Sequence, residues 1–598
     1  MAAQYAIGID LGTTNSVLAY TKLGEEKGQV ELLPIPQLVA AGTVEPRNVL
    51  PSFLYLGTEQ EAAGASLDLP WARGRDYAVG FLAQRQAADV PTRTVAAAKS
   101  WLAHSRVDRH QPILPWNAPE DVPRISPVET SRRYLEHLAG TWSAAFPDAP
   151  LAQQQVVLTV PASFDASARE LTREAALAAG LPQDLVLLEE PQAALYAWLA
   201  DRGDAWRKQL KLGDTLLVCD VGGGTTDFTL IGVTEENGEL ALRRIAVGNH
   251  TLVGGDNMDL ALAHFATTAF AGKGVELNPW QSVALWHSCR AAKETLLGTK
   301  GPKKHPVTVL GRGSKLVGGT VSVDLDRDAV RTLLAEGFFP DCKIDEKPAR
   351  RRASGFREIG LPFEADTAIT RHLAAFLTTQ SPEPGGTVKP THLLFNGGVF
   401  KSPAFREQLS DVMKSWFGGK SAPTVLEGNT DYDYAVARGA AYYGAAKRGR
   451  GVRIRGGAAR SYYVGIETSG PAIPGATRPL EALCVVPFGM EEGTETDVPG
   501  EEIGLVVGES ALFRFFSAAA RKHDQPGQVI SRWSEGEIVE TDPLEANLPK
   551  PEKIEEDYVP VRFHSKITEL GTFELWCVST TSDQRWKLEF SVREDAEG

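Results

Sequence analysis

The chain has 598 residues, more than one hydrophobic core can serve, and length alone predicts about two to four domains. With 43% hydrophobic and 23% charged residues it has the composition of a globular protein, which excludes wholesale disorder. A net charge of −14 argues against nucleic acid as a partner. No apolar run reaches the ~18 residues of a spanning helix, so no membrane is expected either. The start, Met1-Ala-Ala-Gln-Tyr-Ala6, runs into a strand without a basic leader, and a cytoplasmic protein is the expectation. The five cysteines, Cys219, Cys289, Cys342, Cys484 and Cys577, form no C-x-x-C pair, which predicts buried reduced thiols rather than a zinc site or disulfide framework.

The first predicted strand, residues 5–9, ends in Asp10-Leu-Gly-Thr-Thr-Asn15 and is followed by an apolar strand over 16–20. A strand over 155–160 and helices over 166–179 and 191–199 come next, then a strand over 215–219 ending in Asp220-Val-Gly-Gly-Gly-Thr-Thr-Asp227 and another over 228–233. A helix over 282–297, a strand over 392–395 and a helix over 403–416 complete an α/β alternation; Pro191 and Pro403 suit first helical turns. Segment 343–357, with Arg350-Arg-Arg352, reads as a solvated surface insertion.

Dense Gly and Arg over 447–457 read as an exposed connector. Beyond it the pattern turns to β. Trp586, Leu588, Phe590 and Val592 alternate with Lys587, Glu589, Ser591 and Arg593, and 561–567 and 571–578 repeat the habit after a polar loop over 547–557. A small antiparallel sandwich is predicted, followed by a charged tail.

The two Gly/Thr segments share one design: an acidic residue ends an apolar strand, and a glycine turn presents bare N–H groups and threonine hydroxyls. Such turns cradle phosphates, while aspartates hold a hydrated cation. Together they predict a two-sided clamp for a nucleotide triphosphate, built from two similar half-domains.

Five ordered motifs resemble the seventy-kilodalton heat-shock (DnaK-like) chaperone family. Residues 7–16 and 220–227 look like its two phosphate loops, and 157–164 with Glu190-Pro-Gln-Ala-Ala194 like its first connecting segment and acidic sensor. Asn396-Gly-Gly-Val-Phe-Lys-Ser-Pro403 is similar to its adenosine motif, and 433–441 to its closing helix. The resemblance implies an actin-like ATPase domain (ribonuclease H-like, duplicated) over 1–447, a basic Gly-rich linker over 448–460, and a peptide-binding-like β-sandwich over 461–598 without a helical lid.

It also implies cofactors and roles. ATP or ADP would bind with Mg²⁺ held through water by Asp10, Glu190 and Asp220. Gly12, Thr13, Thr14, Asn15, Gly222, Gly223, Gly224, Thr225 and Thr226 would line the phosphates, Thr225 being an autophosphorylation position in bacterial members. Lys293, Gly397, Gly398, Lys401 and Asp433 would hold the adenosine. Pro161 and Arg169 match the pair that relays nucleotide state to the partner domain. Unfolded or extended polypeptides and co-chaperones are the implied partners.

Three departures stand out. The stretch 79–87 resembles the one carrying the catalytic lysine, and Gln84 stands at that position, which predicts slow hydrolysis unless Arg85 assists. Arg290 and Glu294 exchange the usual charges around Lys293, and a plain surface ion pair between them is the alternative. The linker is basic, so docking through an apolar linker strand is not expected.

An ATP-dependent, chaperone-like protein is the leading reading. In it Phe513, Phe515 and Phe516 either shape a peptide groove or fill the sandwich core. A small-molecule, sugar-type kinase of the same fold and a nucleotide-dependent regulatory or scaffold protein with negligible turnover are the alternatives.

Overall fold

Short apolar strands closed by glycine turns pair into hairpins, and two such hairpins organise two similar sheets in a computed structural model of the chain. The structure describes residues 3–24, 29–116, 118–236, 238–249, 251–310, 320–349, 361, 363–381, 385–428, 431–450, 454–467, 480–491, 493–506, 510–534, 536–547, 558–568 and 572–590. The arginine run 350–352, most of the loop 547–557 and the tail lie outside these.

In the first half, β1 (Tyr5–Leu11), β2 (Asn15–Lys22) and β3 (Glu31–Leu32) are followed by α1 (Phe81–Asp89) and the short α2 (Ala98–Leu102). Then come β4 (Gln155–Val160), α3 (Ala166–Ala178), β5 (Val186–Glu189) and α4 (Glu190–Arg202). The sheet runs β5-β4-β1-β2-β3, with the two-residue strand Leu50–Pro51 also on β2.

The second half repeats this order with β6 (Thr215–Val221), β7 (Thr226–Glu236), β8 (Glu239–Val247), α5 (Gly255–Ala271), α6 (Pro279–Leu297), β9 (His392–Asn396), β10 (Thr424–Val425), α7 (Ala435–Ala445) and β11 (Ile454–Arg455). Its sheet runs β10-β9-β6-β7-β8-β11. In each half the hairpin's first strand lies parallel to a later strand, so Asp10 sits beside Thr159 and Asp220 beside Asn396. The duplication expected from two loops is therefore a duplication of sheet topology.

Helices α4 and α7 pack between the halves. A Cβ on Gly439 of α7 would stand 1.7 Å from the Ala193 carbonyl oxygen of α4, and one on Gly8 of β1 would stand 2.1 Å from the Ala437 carbonyl oxygen. Only hydrogen fits at either point, so the backbones pack at closest approach.

Residues 454 and 455 correct the expectation of an undocked connector. β11 pairs in parallel with β8, Ile454 opposite Leu242, and the Ile454 N–H donates to the Tyr196 hydroxyl at 2.7 Å. Ile454 is buried in the core beneath α4. Backbone pairing needs no leucine side chains, which is why Gly/Arg composition concealed it.

Beyond Ser461 the observed ladders are antiparallel, and ten strands form one continuous sheet. The expected two-sheet sandwich is joined where Leu544 pairs with Phe590, and the sheet curls so that Val464, Phe515 and Leu544 share a core with Val561, Leu575 and Leu588. Phe515 and Phe516 are buried on opposite faces and Phe513 packs against the Phe515 side, so these rings serve as core rather than as an open groove. Among the described residues no helix is long and apolar enough to cross a membrane.

Candidate functional site

Because both hairpins end their first strand in aspartate and turn through glycine, the two loops meet across a cleft of about 470 Å³. A Cβ on Gly223 would lie 2.1 Å from the Thr14 hydroxyl, and one on Gly224 would lie 2.5 Å from the Ser100 hydroxyl and 3.1 Å from the Thr13 methyl. The second loop is held from behind by α5, whose Gly255 and Asp256 N–H groups donate to Gly222 and Gly223 carbonyls at 3.0 and 2.8 Å.

Topological equivalence carries into the hydrogen bonds. Thr159 Oγ1 donates to Asp10 Oδ1 at 3.2 Å, and Asn396 Nδ2 donates to Asp220 Oδ2 at 2.9 Å. The Asn396 side-chain oxygen, Oδ1, is buried without a hydrogen-bond partner. Glu190, the first residue of α4, joins the two aspartates. Burial first, then the Glu190 charge, raises the Asp10 carboxyl to about 7, against the pull of Lys99 and the Thr159 hydroxyl. Burial and Glu190 push Asp220 well above the carboxylate range, and burial raises Glu190 despite Lys99. One buried carboxyl, Asp220, and two partly buried ones, Asp10 and Glu190, thus crowd beside one ammonium, an arrangement that resists ionising all three at once.

That ammonium belongs to Lys99, whose Nζ pairs with Glu190 Oε1. Gln84 lies on α1 and does not line the cleft. The cation beside the three carboxylates therefore comes from α2. The signal was present: Val95-Ala-Ala-Ala-Lys99-Ser-Trp-Leu102 buries a lone lysine in an apolar run, which requires a partner.

Asp10, Gly12, Thr13, Thr14, Asn15, Glu190, Asp220, Gly222, Gly223, Thr225, Lys293, Gly397, Gly398, Lys401 and Asp433 all line this one cleft. Gly224, in the second loop, does not line the cleft and instead faces Ser100 and Thr13. Thr226 opens β7 and donates to the Val253 carbonyl, a structural role. Thr225 Oγ1 donates to Asp227 Oδ2 at 3.3 Å.

Towards the other end of the cleft, Gly397 takes a φ of +89° where a Cβ would strike the Val221 carbonyl, and Lys401 pairs with Asp433 at 2.5 Å. Arg290 does not form the surface pair with Glu294. It is buried, donating from Nε to Asp259 at 2.9 Å and pairing with Asp256, while Lys293 holds Asp259 at 2.7 Å and the Gly255 carbonyl at 2.9 Å. Glu294 is exposed at the cleft wall.

Behind Glu190 lies a second charged cluster. Arg169 donates to Glu189 Oε1 at 2.9 Å, Gln192 donates to Oε2 at 3.0 Å, and Arg244 pairs with the same oxygen. Burial opposes ionisation, but Arg244 and Arg169 bring the Glu189 carboxyl below its ordinary value. This cluster borders Ala458, Tyr462 and Phe573 of the C-terminal region.

Fold and site define a duplicated α/β protein with two glycine loops closing on a carboxylate-rich cleft. Residues 71–336, less than half of the chain, match the family model described as Hsp70 protein. The chain is 32% identical to the chaperone protein HscA of Xenorhabdus nematophila over 272 residues, 44% of this chain and 37% of that protein. It is 31% identical to the chaperone protein HscA homolog of Methylibium petroleiphilum over 302 residues, 49% and 41% of the two chains. The chain thus spans about two fifths of the length of the curated relatives it matches.

Proposed function

We propose that the chain is an ATP-binding and ATP-hydrolysing chaperone-like protein of the cytoplasm. An actin-like domain over 1–447 is joined through 448–460 to a polypeptide-binding sheet over 461–598, and nucleotide state modulates that sheet's hold on extended polypeptides, with co-chaperones as further partners. The observation that carries this is the cluster of carboxylates at Asp10, Glu190 and Asp220 between two glycine loops, with Lys99 as the cation among them.

The donor set fits Mg²⁺ held through its waters: among the described residues no three ligating side chains are grouped to hold an ion directly, yet the raised carboxyls call for positive charge. When bound, the ion would neutralise phosphate charge. Backbone N–H groups and the Thr13 and Thr14 hydroxyls would position the phosphates, and Lys99 would face the terminal phosphoryl group and the attacking water. The reason to expect slow turnover, Gln84, lies outside the cleft, and the support it lent to a scaffold without turnover lapses.

Single-turnover ATP hydrolysis tests the reading. Lys99→Met lowers the rate by about 100-fold, the size of one lost electrostatic contact, while Gln84→Lys leaves it within about twofold. Turnover insensitive to Lys99→Met overturns it.

A further inference from the structure

The nucleotide reading leaves Asn396 without a role, although its side chain lines the cleft. Asn396 ends β9, whose Leu393, Leu394 and Phe395 are buried apolar side chains, and it is itself 1% exposed. An amide placed there loses its water, a loss that a leucine would be spared. Its Oδ1 accepts no hydrogen bond, so half of the amide's capacity is forfeited. What the residue retains is one donated bond, from Nδ2 to Asp220 Oδ2 at 2.9 Å. Turned over, the amide would set two acceptors against each other at that distance, so the carboxylate dictates its orientation.

The first half of the molecule meets the same need with different atoms. Thr159 stands opposite Asp10 as Asn396 stands opposite Asp220, each on the parallel neighbour of its hairpin's first strand. Thr159 Oγ1 donates to Asp10 Oδ1 at 3.2 Å. In each half one carboxylate oxygen is tied to the sheet, and the other makes no hydrogen bond among the described residues. On Asp220 that second oxygen is also kept clear. A Cβ at position 397 would stand 2.6 Å from Asp220 Oδ1, and Gly397 has none. Successive residues therefore treat the two oxygens oppositely, Asn396 fixing Oδ2 and Gly397 leaving Oδ1 open. A hydroxyl and an amide share little except a donated proton, so the donor is what both halves keep.

We propose that Asn396 is a positioning residue, whose amide N–H fixes the Asp220 carboxylate so that Oδ1 is presented to the cleft. An untethered carboxylate turns readily about χ2 and offers neither oxygen in a fixed place. Oxygens that hold a cation through its waters depend on such tethers, so loss of one weakens the cation's share of binding more than the nucleotide's own contacts. The proposal rests on the nucleotide-cleft reading above.

The test uses the full chain with Asn396→Val and Asn396→Thr, which are alike in shape and differ in the hydroxyl. Thr159 reaches its aspartate from the equivalent strand position, so the threonine variant restores a donor. ATP Kd is measured in Mg²⁺ and in EDTA, and the ratio of the two isolates the cation's share. In Asn396→Val the ratio is expected to shrink about 10-fold and single-turnover hydrolysis to slow about 10-fold, with Kd in EDTA kept within about twofold. In Asn396→Thr the ratio returns to within about threefold of the wild-type value. A role in packing alone gives the two variants equal ratios, and that result overturns the proposal, as does a wild-type ratio in Asn396→Val. Where the valine variant does not fold, the threonine variant decides: a ratio near wild type sustains the proposal and a lost one overturns it. A wild-type chain whose ATP affinity ignores Mg²⁺ overturns the cleft reading, and this proposal with it.

Discussion

Two clusters of buried charge lie back to back across the start of α4, and they are balanced differently. In the cleft, Asp10, Glu190 and Asp220 share Lys99, and their carboxyls are raised. At the junction with the C-terminal sheet, Glu189 is held by two arginines and lies below its ordinary value. Adjacent residues of one chain, Glu189 buried and Glu190 partly buried, thus titrate in opposite directions. The contrast separates two uses of buried charge. A cluster left in surplus awaits a ligand of opposite sign, whereas a cluster closed upon itself is part of the fold.

The most severe way to break the comparison is to remove the scaffold both clusters share. Gly439→Ala places a methyl against the Ala193 carbonyl at 1.7 Å, and the loss of stability is expected to reach roughly 3 kcal/mol or more, read by denaturant unfolding. Both clusters should be lost together; a wild-type midpoint would show that α4 and α7 do not pack so closely. Next in size is Glu189→Gln, which leaves Arg169 and Arg244 without their carboxylate. It should cost about 3 kcal/mol, while Kd for ATP, set by the other cluster, changes little. A variant that keeps its stability but binds ATP poorly would invert the assignment of the two clusters.

The smallest effect sharpens the contrast by pH. Asp10 is raised from 3.8 to about 7 in the folded chain, so the fold binds a proton that the unfolded chain has released. Its contribution is complete below about pH 4 and is lost as pH rises through 7, by at most about 1.4 kcal/mol per pH unit. Glu189, depressed from 4.5, contributes above that value and loses its contribution on acidification. Thermal melts without nucleotide or divalent ion should therefore fall between pH 5 and 7.5, and Mg²⁺ with ATP should flatten that fall. A slope that ignores the ligand would place the titrating group outside the cleft.

Much of this was legible from sequence because it is local. The strands at 5–9, 155–160, 215–219 and 392–395 appear within two residues of their expected ends, and the paired loops converge because strand-ending aspartates and glycine turns dictate their own geometry. Lys99 was hidden because the resemblance was fitted to a nearby Gly-Phe-Leu-Ala-Gln run, although a lysine in an apolar segment was the better physical clue. Arg290 reads as a surface residue until Asp256 and Asp259 are brought to it by a different helix. The junction was not legible at all, since Arg109 and Asp542 stand 433 residues apart and neither belongs to a pattern.

The pairing of Ile454 and Arg455 with β8 has a consequence for how the connecting segment can vary. The attachment is made by main-chain groups, whose geometry is the same for any residue other than proline, and by one inward-facing aliphatic side chain. Substitutions along the segment are then cheap, while insertions and deletions are not. Adding a single residue moves Ile454 to the opposite face of the strand and turns the following chain away from the sheet it leads into. What this connection conserves is therefore its length and parity, and its chemistry is free to drift.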